Sequence, residues 1–300
     1  MSKTSFKVVF LVCFCTLLQG KILPYKFHSD AKTQQGKIKI LDVKELSFQG
    51  EQNPKFTEIS ALAYHRDILY ALSDKGALFH LDIKIQNDKI QNLFVKKATY
   101  LHTKKSKRVP KHKRDAEGLT VIDNYLAISF ERIQKVFLFD FDGKKLQKLT
   151  INKALRDKTA YQSENKGLEA VAYSQKYGVL TLPERPLYNQ THHTLYAKKM
   201  QWNFEQKGSV TALEMIDESN VLVVLREFHY LTQKRVLRFL RLSLEDGTYE
   251  VLAKFDSDDG WNLDNFEGVT KIAKNRYLLV SDDNDSIFQK TLLVLFEILP

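Results

Sequence analysis

The sequence predicts an all-β chain folded as a single β-propeller, with five blades favoured, six as the alternative, and an N-terminal strand closing the ring. Three observations predict it. Short apolar segments bounded by turn residues recur five times. The steps between their starts are 57, 52, 42 and 56 residues, about the length of a four-stranded blade. The last unit also stops at Pro300 one strand short, while a strand-like stretch at residues 37–43 precedes the first unit. A β-sandwich with accidental internal similarity is the competing architecture.

Each unit opens with a hairpin. The first strands begin at Ser60, Glu117, Glu169, Thr211 and Glu267, and the second strands end at Asp74, Glu131, Glu184, Arg226 and Asp282. Third strands are expected at 78–83, 136–141, 194–198, 236–244 and 292–298, where alternation and β-branched or aromatic content favour strand over helix. Fainter fourth strands fall at 90–95, 145–149, 202–206 and 250–255. Asp142-Gly143 and Asp246-Gly247 are hairpin turn signals. Residues 152–163 are the one stretch that reads as a short helix.

Composition agrees with a packed β domain. The chain of 300 residues is 43% hydrophobic and 11% aromatic, which excludes general disorder. Its 12 glycines and 6 prolines exclude collagen-like and low-complexity architectures. The two cysteines, Cys13 and Cys15, lie near the N-terminus, which excludes a disulfide scaffold, a cysteine zinc site or a cysteine nucleophile elsewhere.

Residues 1–20 read as an export signal. Lys3 and Lys7 form a basic start, and the apolar run 8–18 is shorter than the roughly 20 residues a spanning helix needs. Val12 and Phe14 before the cysteines argue against lipidation, and an uncleaved anchor is the alternative. The expected organisation is a signal at 1–20, a linker at 21–36 and a propeller at 37–300 that carries a basic insertion at 96–114. The expected location is the periplasm or the extracellular medium, with no stable membrane insertion after cleavage.

Charge is local. The net charge is +10, but nine Lys/Arg and no acid fall within 96–114, and with Lys3 and Lys7 set aside the remainder is nearly neutral. An export signal argues against a nucleic-acid partner, so a small anionic or phosphorylated ligand is the expected one. A solvated basic loop is the bland alternative.

The repeat gathers carboxylates. In every unit 14 or 15 residues separate the start of strand one from the end of strand two. An antiparallel hairpin places those two positions at the same end of the blade. One mouth should therefore collect Glu117, Glu169 and Glu267 from strand starts, and Asp74, Glu131, Glu184, Asp282 and Asp283 from strand ends. Arg132, Arg185 and Arg226 stand beside them. Crowded carboxylates need compensation, by bidentate arginine pairs or by a hard cation. Calcium takes 6–8 oxygens in irregular cages and fits a Glu/Asp set without cysteine. The expected metal ligands are Glu117, Glu169, Glu267, Glu131, Asp282, Asp283 and Asp74. Structural Arg–carboxylate pairs are the alternative.

The segments Asp115-Ala116-Glu117-Gly118-Leu119, Gly167-Leu168-Glu169-Ala170-Val171 and Asn265-Phe266-Glu267-Gly268-Val269 resemble the phytase-like β-propeller family, described by its esterase-like activity. Ser73-Asp74, Glu131-Arg132, Leu182-Pro183-Glu184-Arg185, Arg226-Glu227 and Asp282-Asp283-Asn284-Asp285 resemble its strand-end motifs. The resemblance spans about residues 38–300 and implies an exported propeller, calcium dependence and phosphoester or ester hydrolysis. The basic insertion before Asp115 and the scarcity of glycine depart from the pattern.

Other chemistries lack their motifs. There is no G-x-S-x-G, P-loop, G-x-G-x-x-G or H-E-x-x-H. His192-His193 is expected in a surface turn, since neighbours on a strand face opposite ways. Trp202 and Trp261 are expected to pack, with Trp261 also a candidate for lining the mouth, and the Asp256, Asp258, Asp259 group reads as a turn. Two functions follow. In the first, a metal-assisted phosphoester hydrolase, Arg132, Arg185 and Arg226 hold phosphate oxygens and a carboxylate, Glu117 or Glu184, serves as base. In the second, a non-catalytic exported propeller captures a ligand or partner at its mouth.

Overall fold

Five antiparallel sheets surround one axis in the computed structural model, which describes residues 18–19, 21–48, 53–163 and 165–300. Most of the expected export signal, residues 1–17 and 20, lies outside the described residues. Blade 1 comprises Ile59–His65, Ile68–Ser73, Ala77–Gln86 and Lys89–Tyr100, with Leu18–Gln19 on its outer edge. Blade 2 comprises Ala116–Ile122, Tyr125–Phe130, Lys135–Phe139 and Lys145–Lys148. Blade 3 comprises Leu168–Ser174, Gly178–Pro183, His193–Tyr196 and Gln201–Phe204. Blade 4 comprises Ser209–Asp217, Asn220–His229, Lys234–Ser243 and Tyr249–Asp256.

Blade 5 is built from both ends of the chain. Asn265–Ala273, Arg276–Asp282 and Leu292–Ile298 are its first three strands, and Ile38–Ser47 is the fourth. Ile38 pairs with Ile298 and Lys44 with Leu293, so the N-terminal strand closes the ring in the expected place. The inner strands touch in a complete cycle, blade 1 to 2, 2 to 3, 3 to 4, 4 to 5 and 5 to 1. That cycle makes the number of blades five.

The core lies between blades rather than inside any one of them. Five apolar clusters each fill one blade-to-blade interface. A blade is thus covered on both faces, and its second strand reads as an unbroken apolar run, as in Val221-Leu222-Val223-Val224-Leu225, where every residue is fully buried. Trp261 packs its edges on Phe27, His28 and Phe255 in the blade 4–5 cluster and does not line the mouth. Trp202 donates its indole N–H to the Leu244 carbonyl at 3.0 Å.

The structure corrects four local expectations. Residues 21–36 are not a free linker: Lys21–Pro24 pairs alongside the N-terminal strand, because Ile22 packs against the blade 5–1 cluster. The basic stretch 96–114 is only partly a loop, although residues 104–108 and 110–113 are solvent-exposed as a solvated loop would be. Its first residues finish the outer strand of blade 1, and the rest lies along blade 2, anchored by fully buried Leu101 and 5%-exposed Val109. Residues 152–163 form two 3₁₀ turns, Lys153–Leu155 and Lys158–Ala160, each capped by a side chain, Asn152 or Asp157. His193 is no surface-turn residue but begins a strand, buried, with Nε2 3.1 Å from the Gly208 carbonyl oxygen.

The crowding of inner strands explains the Glu-Gly pairs. A Cβ on Gly118 would lie 2.5 Å from Ser129 Oγ and 2.7 Å from the Val171 backbone nitrogen. A Cβ on Gly268 would lie 2.9 Å from the Ala61 backbone. Gly118→Val is therefore expected to destabilise the fold by about 3 kcal/mol, since overpacking against backbone cannot relax by a rotamer change. Urea unfolding checks this, and an unchanged midpoint would contradict the strand spacing.

Candidate active site at the propeller mouth

The same backbone irregularity occurs in all five inner strands. At the start of the first strand, pairing with the second skips one residue in each blade: Ser60, Glu117, Glu169, Thr211 and Glu267. These are the five positions at which the repeat begins. A bulge leaves its extra residue out of the ladder and re-aims its side chain. Opposite them, Asp74, Glu131 and Glu184 donate backbone N–H groups to the carbonyls of Glu58, Asp115 and Gly167 at 3.1, 2.9 and 3.1 Å. Arg226 and Asp282 hold the equivalent register against Ser209 and Asn265. Two rings of side chains thus superpose at one end of the axis.

Below the mouth the axis is closed. The cavity between the inner strands, lined by Glu117, Glu267, Thr211 and neighbouring apolar residues, measures about 10 Å3, room for about one water. Chemistry on a larger molecule must therefore take place above it, at the carboxylates.

Five carboxylates crowd one side. Asp115, Glu117 and Glu131 can bring oxygens within 4.8 Å of one another, and so can Glu131, Glu169 and Glu184. Glu131 belongs to both groups. Glu131, Glu169 and Glu184 are buried, at 7–8% exposure. These acidic clusters form an all-oxygen donor set of the kind a hard cation takes.

Burial and mutual repulsion push the carboxyls upward. Glu131 is raised to about 7, first by desolvation and then by Asp115 and Glu184, although the Gly167 N–H 3.3 Å from Oε1 works against the rise. Glu117 and Glu169 are raised well above the ordinary range by burial and by the surrounding carboxylates. Asp282 is raised to about 7 by burial, against the lowering effect of the Asn284 N–H, and Asp74 to about 6 by burial and Asp115.

Cations offset only part of this charge. Lys166 Nζ lies 2.7 Å from Glu184, whose Oε1 also accepts from Ser209 Oγ at 2.6 Å. Arg132, more than half exposed, pairs at 2.5 Å with Asp115. Arg185 stands 4.0 Å from Glu184. Of the three expected arginines only Arg226 reaches a bulge carboxylate, at 3.7 Å from Glu267 Oε1.

The structure thus divides the expected metal set. Glu117, Glu131 and Glu169 fall in the three-carboxylate groups. Glu267, Asp282 and Asp74 belong to no such group among the described residues. Glu267 and Asp282 are bridged by the Asn265 amide, which donates to them at 2.8 and 3.3 Å. Asp283 is the clearest departure. Its carboxylate already accepts from Thr57 Oγ1, the Glu58 and Asp285 N–H groups and Thr291 Oγ1, so it ties loops together.

Sequence reasoning left Asp115, Lys166 and Asn265 out of the site. Asp115 and Asn265 stand two residues before the bulge Glu, at equivalent positions, and that offset was the signal available. Lys166 has none, because a lone lysine reaches Glu184 only through the fold.

Beside Glu267 a cleft of about 300 Å3 opens between blades 4 and 5, lined by Arg226, Arg235, Asn265, Glu267, Asn284 and Gln289 among others. It places two guanidiniums in the same cleft as the bulge carboxyl of Glu267. Glu267 is raised to about 8, mainly by burial and then by Asp282, with Arg226 pulling the other way.

Among solved structures the chain is similar to the glutaminyl cyclase of Myxococcus xanthus, at 12% identity over 81% of this chain and 92% of that one, with a TM-score of 0.47. It is also similar to the PQQ-bound aldose sugar dehydrogenase of Streptomyces coelicolor, at 12% identity over 89% and 99% of the two chains, with a TM-score of 0.46. No curated protein matches by sequence. The profile of the phytase-like family, described as "Esterase-like activity of phytase", matches residues 54–285, a span that holds all five bulges and all five strand ends, and the chain belongs to that family.

Proposed function

We propose that this protein is an exported, calcium-supported hydrolase of phosphoesters, working at the propeller mouth. The observation that carries the reading is the pair of three-carboxylate groups sharing Glu131, buried and only partly neutralised, at the mouth that also bears, between blades 4 and 5, a cleft with two arginines. The chemistry of the donor set supports a calcium site: five carboxylates from two blades, all oxygen, with few competing cations. Asp115, Glu117 and Glu131, or Glu131, Glu169 and Glu184, would hold the ion. When bound, calcium supplies charge compensation and polarises a phosphoryl oxygen. The basic start and short apolar run of residues 1–18 support export.

The chain's own residues do the rest. Arg226 and Arg235 take phosphate oxygens in the cleft, where planar guanidiniums match the phosphate's geometry. Water attacks phosphorus as the ester P–O bond breaks. The leaving oxygen takes its proton from Glu267, which is still protonated near neutral pH. Glu131, on the opposite side and raised only to about 7, is ionised above neutral pH and accepts the proton from water.

Purified protein assayed with phytate and with 4-nitrophenyl phosphate, in calcium and in EGTA, tests the reading. Calcium-dependent phosphate release is expected, and Glu131→Gln should abolish the calcium dependence by removing the ligand common to both groups. A protein that binds calcium and phytate without turnover would be a capture propeller instead.

A further inference from the structure

A second cavity lies where the basic segment folds against blade 2, with Phe130 and Ile133, the residues either side of Glu131-Arg132, in its lining and no mouth carboxylate among its lining residues. The segment is held as a wall. His102 donates its N–H to the Gly143 carbonyl at 2.7 Å, Lys145 donates to the His102 carbonyl at 2.8 Å, and Val109 donates to Leu101 at 2.9 Å. Arg108 caps the turn by stacking 3.1 Å over the Tyr100 ring. Behind this wall is a cavity of about 300 Å3, at the lower end of the range for small-molecule sites.

Its lining has two chemistries. Ile133, Phe137 and Phe139 supply apolar and aromatic surface, while Lys113, Lys135 and Lys145 bring ammonium groups from three separate elements. Among the described residues, the ion pairs of the basic stretch are Lys96 with Asp82 and Lys97 with Asp142, and no carboxylate pairs with Lys113, Lys135 or Lys145. Lys145 Nζ instead sits 4.2 Å over the Phe137 ring. Burial, and then the charges of Lys113, Lys135 and Lys104, pull its ammonium below the ordinary lysine range.

Converging cations without a counter-ion, around an aromatic hollow, define what would relieve them. A bare phosphate would leave the apolar surface empty, and a neutral ring would leave the lysines repelling one another. We propose that this cavity binds a small aromatic anion, a flat ring body carrying one carboxylate, sulfonate or phosphate head, independently of the mouth.

The test titrates the whole protein with 2-naphthalenesulfonate by calorimetry, with 2-naphthalenemethanol as body alone and inorganic phosphate as head alone. One-to-one binding of the sulfonate, at least tenfold tighter than either fragment, is expected. The Lys135→Gln/Lys145→Gln double variant should weaken it at least tenfold without changing Tm, and Arg226→Ala should leave it intact. Absence of binding, equal binding of the neutral alcohol, or loss on Arg226→Ala in place of the lysine pair would overturn the proposal.

Discussion

Calcium at a fixed concentration, about 100 times the Kd that holds at pH 8.5, is expected to raise the Tm by about 4–5 °C near pH 8.5 and by only about 1 °C near pH 6.5, from a mass-action gain of about 2.7 kcal/mol at the higher pH and the entropy of unfolding of a domain this size. The difference arises from protons. Glu131 and Asp282 titrate near 7 and Glu267 near 8 in the folded chain, against ordinary values of 4.5 and 3.8. A carboxyl that keeps its proton longer when folded favours the folded state at low pH. That advantage is lost as pH rises through the folded-state value, at about 1.4 kcal/mol per pH unit for each such group. Without calcium the protein should therefore lose stability from pH 6.5 to 8.5.

Of these three, Glu131 is the proposed calcium ligand; there calcium takes the place of the proton, so its benefit grows as that proton leaves, while Asp282 and Glu267 add a share that calcium leaves unchanged. Two buried groups outside the mouth bound the comparison. Glu214, raised to about 7, adds a share that calcium leaves unchanged. His193, lowered to about 4 by burial, destabilises the fold only as pH falls below its ordinary value, and so keeps out of this window. Scanning calorimetry at several pH values, in calcium and in EGTA, measures the effect. A calcium increment independent of pH would mean that the ion binds away from these carboxyls.

Glu267→Gln is expected to lower turnover of an alkyl phosphate by about 100-fold, the lower end of what a positioned general acid contributes. The amide keeps the shape and the Asn265 contact but has no proton to deliver. The leaving group provides the control. Nitrophenolate departs with little protonation, so 4-nitrophenyl phosphate should lose far less than the alkyl ester. In the parent, turnover of the alkyl ester should decline as pH rises through about 8, because the acid form is the active one. Arg226→Ala removes the neighbour that favours the ionised carboxyl, so it should move that limb upward while raising KM through loss of a phosphate contact. Equal losses on both substrates, or a limb that ignores Arg226, would assign Glu267 to structure alone.

Much of this site was legible because the chain repeats. Five units with a constant hairpin length place Ser60, Glu117, Glu169, Thr211 and Glu267 in equivalent positions, and equivalence in a closed ring means convergence on the axis. The missing fourth strand of the last unit and the surplus strand at the N-terminus led to the closure at Ile38–Ile298 for the same reason. Periodicity and pairing are local properties, and a sequence carries them directly.

Tertiary structure decided which members of the ring act together. Sequence equivalence treats Arg132, Arg185 and Arg226 alike, yet Arg132 pairs with Asp115, Arg185 with the strand-end Glu184 and only Arg226 with a bulge carboxylate, because side-chain reach depends on what already holds the neighbour. Asp283 and Asp282 are adjacent in the chain, but successive residues point opposite ways, so one ties loops and the other faces the mouth. The basic stretch reads as a solvated insertion because its charge is visible and its anchors, Leu101 and Val109, are only two residues among many lysines. What the sequence by itself determined was the five-fold placement of carboxylates, a consequence of hydrogen-bond register. The pairing of charges and the shape of the cavities were left to the fold, since both depend on distances between residues that share no register.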